Sequence, residues 1–411
     1  MITLNLEDYQ VSRESGFLPT HSPAKAQLPE VFLPVQKTAA LLPKWMTTGT
    51  IRQAIAQGAA PRGIANLPEV DVEREPLDEM QLRRVMQIYS YLTHAYVWGE
   101  PTPPKVLPRN LAVPLYKISQ KIGRPPLLSY ASYALDNWVR IDETKPIEIG
   151  NIIISQNFLG GLDEDWFILI HIDIEAKAAP ALAAIPTLLE GIERDDTTAA
   201  IAALEDIKDA WTNINTTMSR MPEACDPYIY YNRVRPYIHG WKNNQALPEG
   251  LIYEGVEAYG EKPQQFRGST GAQSTLVPTM DALFNITHAH DPLREFLMEL
   301  RDYMPPKHRA FVEEVEKRST LRDFVKNRMG QVPKLGDLYN DCVSLMEQFR
   351  TQHLEFAGRY IHKQTPKSNN DTDIGTGGTP FMRYLKKHRD ESGQHLLNSE
   401  LALTHSPSSK Q

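Results

Sequence analysis

Cysteine is nearly absent. Cys225 and Cys342 are the only two in 411 residues. They lie far apart and outside any paired motif, so neither a disulfide framework nor a thiolate metal site is supported, and a reducing compartment fits. Long apolar runs are missing as well: no segment stays hydrophobic for the roughly 20 residues that a bilayer-spanning helix needs. The opening MITLNLEDYQVS carries acidic residues where a secretory leader would carry basic ones. A cytoplasmic chain off the membrane is the expectation. Clustered positive charge is lacking too. Lys and Arg number 44 against 51 Asp and Glu, giving a formal net charge of -7, and they are scattered. That leaves no electrostatic footprint for a nucleic-acid backbone, so nucleic acid is not an expected partner.

What is present reads as mainly α. A chain of 411 residues is too long for one simple core. The first forty or so residues hold Pro19, Pro23, Pro29, Pro34 and Pro43, which predicts an irregular but ordered arm. From Pro76, apolar residues Leu82, Val85, Met86, Tyr89, Leu92 and Tyr96 recur at helical spacing up to Gly99. Residues 107–138 read as two helices parted by Gly123, Pro125 and Pro126. KPIEIGNIIISQNF is β-branched and Gly-interrupted, the best candidate for short strands, and marks a junction near residue 150. Beyond it come a helix capped by Asp163–Asp165 and apolar on nearly every side, a stripe from Ile201 to Met218, an Asp226–Pro227 helix start, and a helix opened by Ser319. The expected organisation is a small, mostly helical N-terminal domain (1–150), a large all-helical domain (151–390) and a polar, disordered tail (391–411).

The longest helical pattern, from about Asp337 to Gln364, sets His353 on a stripe with Leu338, Cys342, Leu345, Phe349, Phe356 and Tyr360. A neutral imidazole in an apolar groove suits an axial ligand of haem iron, and it equally suits a core histidine bonded to a neighbour. The stripe alone leaves both open.

LPRNLAVP at 107–114, GWKNNQALPEGLIYEGV at 240–256, FRGSTGAQS at 266–274, RDYMPPKHRAFV at 301–312, FRTQHLEFAGRYI at 349–361 and GTGGT at 375–379 occur in this order. Together they resemble the indoleamine 2,3-dioxygenase family of haem enzymes, over roughly residues 75–390. The resemblance implies haem b, ferrous when active, and insertion of dioxygen into the indole of tryptophan or a related indoleamine to give N-formylkynurenine. It also implies an unidentified reductant, and an N-terminal domain that forms part of the distal cover.

Under that resemblance His353 is the proximal iron ligand, its second nitrogen donating to an acceptor that fixes the tautomer. Arg350 and Asp281 join a proximal network near a haem propionate; a surface ion pair is the plainer reading. Phe167 packs on the substrate indole, and His171, four residues on, shares its face. Mammalian members carry Ser at that position, so this chain is there similar to the tryptophan 2,3-dioxygenases. His171 would then accept the indole N–H and disfavour N1-methylated analogues, unless it pairs with Asp173 or Glu175 inside the helix. Tyr230, Tyr231 and Arg235 match an aromatic, aromatic, three residues, Arg pattern whose Arg grips the substrate carboxylate, with Pro236 bending the helix behind it. Mammalian members have Phe at both tyrosine positions. Tyr130 joins the substrate-binding set. Ser269, Thr270 and Gly271 allow close backbone approach to the haem, and the Gly375–Thr379 loop folds over substrate and brings Thr379 to its ammonium.

Three alternatives remain: a superfamily haem enzyme that rearranges a substituted tryptophan, a haem protein that senses oxygen without turnover, and a helical scaffold without haem.

Overall fold

The computed structural model describes residues 4–55, 67–288, 292–367, 375–376 and 381–397. Short 3-10 turns at Leu6–Tyr9, Pro23–Lys25 and Glu30–Phe32 form the arm. The arm ends earlier than expected, at α1 (Leu33–Ala40), followed by α2 (Leu42–Thr48) and α3 (Ile51–Ile55). Pro34 and Pro43 sit in the first turns of α1 and α2, where no intrahelical N–H is required, so these prolines open helices instead of breaking them.

α4 (Glu79–Trp98) begins at a capping box in which Gln81 N–H donates to Asp78 at 2.8 Å and Asp78 N–H donates to Gln81 at 2.9 Å. α5 (Arg109–Ile122) stops at left-handed Gly123. The second helix expected before residue 138 is only a π-helical turn, Ala131–Leu135. Four two-residue strands follow the chain: β1 (Val106–Leu107), β2 (Val139–Arg140), β3 (Ile152–Ile153) and β4 (Ile252–Tyr253). β1 pairs parallel with β4, and β2 antiparallel with β3.

The remainder is helical: α6 (Leu162–Lys177), α7 (Ala179–Glu193), α8 (Thr197–Ser219), α9 (Pro227–Ile229), α10 (Leu276–Leu283), α11 (Pro292–Arg301), α12 (Pro306–Arg318), α13 (Leu321–Arg328), α14 (Pro333–Tyr360) and α15 (Phe381–Gly393). The fold is mainly α, as the patterning predicted. No helix among the described residues is long and apolar enough to cross a membrane. The cap expected from Asp163–Asp165 is not made: α6 starts at Gly161 without a side-chain cap. Glu164 instead accepts the backbone N–H groups of Phe158, Leu159 and Gly160, tying the preceding loop to the helix.

Two apolar cores organise the chain. One gathers α4 and α5 with Trp138, Phe158, Trp241 and Tyr253; the other gathers α7, α8 and α14 around Leu182, Leu204, Trp211 and Cys342. They are not divided simply at residue 150, because Leu4–Phe17 packs into the second core while residues 238–256 pack into the first. α6 lies between them. Ile168 and Ile172 enter one core, Ile170 and Ile174 the other. A helix apolar all round is what a position between two cores demands. The tail expected to be disordered from residue 391 is ordered as far as Leu397: Ser392 and Leu397 are buried, and Asn340 exchanges hydrogen bonds with Leu397, while residues 398–411 lie outside the described residues.

Candidate functional site

Along α14, burial is interrupted around His353. Cys342, Val343 and Met346 are buried, as are Ala357 and Tyr360, but between Met346 and Ala357 only Arg350 is. Phe349, His353, Leu354 and Phe356 keep accessible surface. His353 is nevertheless enclosed by protein, and its pKa is pushed down to about 4, first by burial and then by the charge of His171. His171 is thus close enough to His353 for its charge to be felt there. His353 takes no hydrogen-bond partner among the described residues, so the expected acceptor for its second nitrogen is not found there. Its stripe neighbours Phe349 and Phe356 are apolar and supply none. A neutral, enclosed imidazole without a protein partner fits a metal ligand better than a core histidine, which would be bonded.

One turn earlier, Arg350 donates to both oxygens of Asp281 at 2.7 Å and to Ser392 Oγ at 2.6 Å. With 6 % of its surface exposed, Arg350 is no surface ion pair. Burial would raise the Asp281 carboxyl, but Arg350 and His288 outweigh it and hold the group well below the usual carboxylate range. The helix bearing His353 is thus fixed to α10 and α15 by charge.

The surroundings of His171 are aromatic. Phe167 lies 4.6 Å, centroid to centroid, from both His171 and Tyr230, and Tyr130 sits edge-on to His171 at 6.0 Å. His171 bonds neither Asp173 nor Glu175: its Nδ1–H donates to the Phe167 carbonyl at 2.7 Å. That bond sets the tautomer and leaves Nε2 with a lone pair. Burial lowers the pKa of His171, so the ring stays neutral. Asp173 accepts instead from Thr217 and Ile149.

Tyr230 and Tyr231 lie in a second π-helical turn, Tyr230–Val234, which passes into a 3-10 turn, Arg235–Ile238, at Pro236. Such turns re-aim side chains. The Arg235 guanidinium lies 5.3 Å from the centre of the Tyr231 ring, with 1 % of the residue exposed. Tyr230 borders Phe167, and Tyr231 is wholly enclosed.

Ser269 is placed by a close backbone crossing. A Cβ on either Gly240 or Gly268 would come within 2.2 Å of the other's nitrogen, so only glycine at both lets the two segments meet. Ser269 N–H then donates to Ile238 O at 3.0 Å. Thr270 caps the Gly271–Gln273 turn, and a Cβ on Gly271 would meet nothing within 4 Å. The described part of the glycine loop docks here, Thr376 Oγ donating to Ser269 O at 2.7 Å. Thr379 lies outside the described residues.

A family model for indoleamine 2,3-dioxygenase matches residues 5–395. The chain belongs to the indoleamine 2,3-dioxygenase family. Its membership makes it a haem dioxygenase of that type. It is 35% identical over 409 residues to indoleamine 2,3-dioxygenase 1 of Rattus norvegicus, covering 96% of each chain. It is 32% identical over 418 residues to indoleamine 2,3-dioxygenase 2 of Homo sapiens, covering 97% of each. A protein named myoglobin from Haliotis madaka is also similar, 28% identical with 95% of this chain and 99% of that one covered.

In this family member, two groups support the site in ways not expected from sequence, which offers Glu175 only as a partner for His171 and gives His94 no role. Glu175, buried on α6, accepts from Tyr130 Oη at 3.0 Å and Ser274 Oγ at 2.6 Å, and burial raises its carboxyl to about 7. His94 has both nitrogens engaged, with the Tyr237 carbonyl at 2.9 Å and the Leu128 N–H at 3.1 Å. It joins α4 to the segments that carry Tyr130 and Arg235. No local signal marks either residue, because the partners lie 34–143 residues away.

Proposed function

We propose that this chain oxidises tryptophan or a related indoleamine to N-formylkynurenine, opening tryptophan catabolism by the kynurenine pathway, in the cytoplasm and with an external reductant. The observation that carries the reading is the enclosed, neutral His353, which has no hydrogen-bond partner among the described residues and lies within reach of the charge of His171. His353 would hold haem b by its ring nitrogen, while Arg350 and Asp281, one turn away, fix the helix that presents it. Arg350 is also the cation nearest in sequence for a propionate. Ser269, Thr270 and Gly271 leave room beside the porphyrin.

When bound, ferrous haem supplies dioxygen binding and the redox chemistry that cleaves the indole C2=C3 bond. The protein binds, orients and excludes water. Phe167 and Tyr230 flank the indole. His171, with Nδ1–H committed to Phe167 O, offers Nε2 as acceptor for the indole N–H. No proton abstraction is asked of it. Arg235 grips the carboxylate bidentately, Tyr130 and Tyr231 support that grip, and Thr379 meets the ammonium.

The test is to reduce the haem-loaded protein anaerobically, add tryptophan and then ¹⁸O₂, and weigh the product. N-formylkynurenine carrying two labelled atoms supports the reading. A rearranged substituted tryptophan as the preferred product would favour the superfamily alternative. The resemblance to a protein named myoglobin favours a second reading, reversible oxygen binding without turnover. It predicts a stable oxygenated spectrum that tryptophan leaves unchanged.

A further inference from the structure

Behind the Arg350–Asp281 pair lies a cluster that the dioxygenase reading does not use. His288 follows α10, and His388 and Glu391 lie three residues apart on α15, so they share a face of that helix. His288 Nδ1–H donates to Glu391 Oε2 at 2.6 Å, and its Nε2–H donates to Asp281 Oδ2 at 3.2 Å. The rings of His288 and His388 stack with centroids 4.3 Å apart at 12°. His388 Nε2 is buried without a hydrogen-bond partner. One donor atom from each of His288, His388 and Glu391 lies within 4.8 Å of the others.

We propose that His288, His388 and Glu391 bind a divalent cation of the zinc class, separate from the haem site, that fastens α15 to the segment following α10 and, through Asp281 and Arg350, supports the helix bearing His353. Two imidazoles and one carboxylate are a ligand set that zinc accepts with a fourth position left to water. Bonds of about 2.0–2.2 Å around a tetrahedral ion bring donors to roughly 3.4 Å apart, so the His288–Glu391 pair must open from 2.6 Å while the more distant donor draws in. The ion takes the place of the proton now shared by His288 and Glu391. The His388 ring turns out of its stack, and its orphaned Nε2 gains the partner it lacks.

The surroundings suit this. Asp281 accepts from the far nitrogen of His288, the carboxylate–histidine arrangement that orients metal-bound imidazoles. Asp281 also grips Arg350, which bonds Ser392 next to Glu391, so the ion would close a ring of contacts running through α10, α14 and α15. Lys387 Nζ, 3.4 Å from the other oxygen of Glu391, is the cation that competes with it. The nearby charges are Asp281 and Glu391 against Arg350, Lys387 and His288, which is a cation while both of its nitrogens donate, so a metal that displaces a His288 proton replaces positive charge already held there.

The test uses the haem-reconstituted full chain, dialysed against EDTA and then incubated with ZnCl₂. After gel filtration, metal content is measured by mass spectrometry and the thermal midpoint by circular dichroism. The expected result is one zinc per chain and a raised midpoint that EDTA reverses. His388→Ala and Glu391→Gln each lose that zinc, Asp281→Asn weakens it about 10- to 100-fold, and His353→Ala retains it. If His388→Ala fails to fold, Glu391→Gln alone decides. Wild-type protein that keeps no zinc, or a Glu391→Gln variant that keeps its full equivalent, overturns the proposal.

Discussion

The surroundings of His353 and of His171 are built on different electrostatic plans. On the His353 side, α14 is held by a buried ion pair, Arg350 with Asp281, extended through His288 to α15. On the His171 side the groups are kept neutral. Burial lowers the pKa of His171, raises the Glu175 carboxyl to about 7 and raises the Tyr130 hydroxyl. Charge fixes α14, while rings and hydrogen-bonding groups surround His171, with the Arg235 guanidinium set against Tyr231 beyond them. A fixed charge beside the indole would cost desolvation on binding.

Breaking the contrast on the ligand side gives the largest effects. His353→Ala should lose stable haem altogether, measured by Soret absorbance after gel filtration. Arg350→Ala strands the Asp281 carboxylate; removal of one partner from a buried pair costs about 3–5 kcal/mol, seen as a lower denaturant midpoint and haem that dissociates faster.

On the His171 side the effects shrink and shift from haem to substrate. Arg235→Ala should keep haem and raise the tryptophan dissociation constant about 10- to 100-fold, as loss of a charge-assisted bidentate contact does; spectral titration checks it. Glu175→Gln tests the neutral plan through pH. The folded pKa of Glu175 lies above the unfolded value, so its contribution to stability is fully present below about 4.5 and lost as pH rises through about 7. The glutamine variant should therefore gain stability relative to the parent from pH 5 to 8, and an unchanged difference across that range would refute the neutral carboxyl. His171→Ala should show the smallest loss, partial activity with relaxed tolerance for N1-methyltryptophan, followed as the ratio of rates on the two substrates.

Much of this was legible in the residues. The nearly all-round apolar character of α6 announced a buried helix, and the i, i+4 spacing placed Phe167 beside His171 and Tyr231 beside Arg235. The stripe of α14 identified the helix, and the family resemblance chose His353 on it. The π turns at Ala131–Leu135 and Tyr230–Val234 were not legible, because one extra residue per turn leaves no mark on apolar periodicity. Nor was the Asp281–His288–Glu391 chain, in which His288 and Glu391 stand 103 residues apart. Proline misled at Pro34 and Pro43, since the residue alone does not say whether it ends a helix or begins one.

The most direct test is a crystal structure of the haem-loaded protein with tryptophan bound. The account predicts iron coordinated by a ring nitrogen of His353, with the indole against Phe167 and its N–H toward His171 Nε2. Iron on His171, or His353 turned away from the metal, would contradict it.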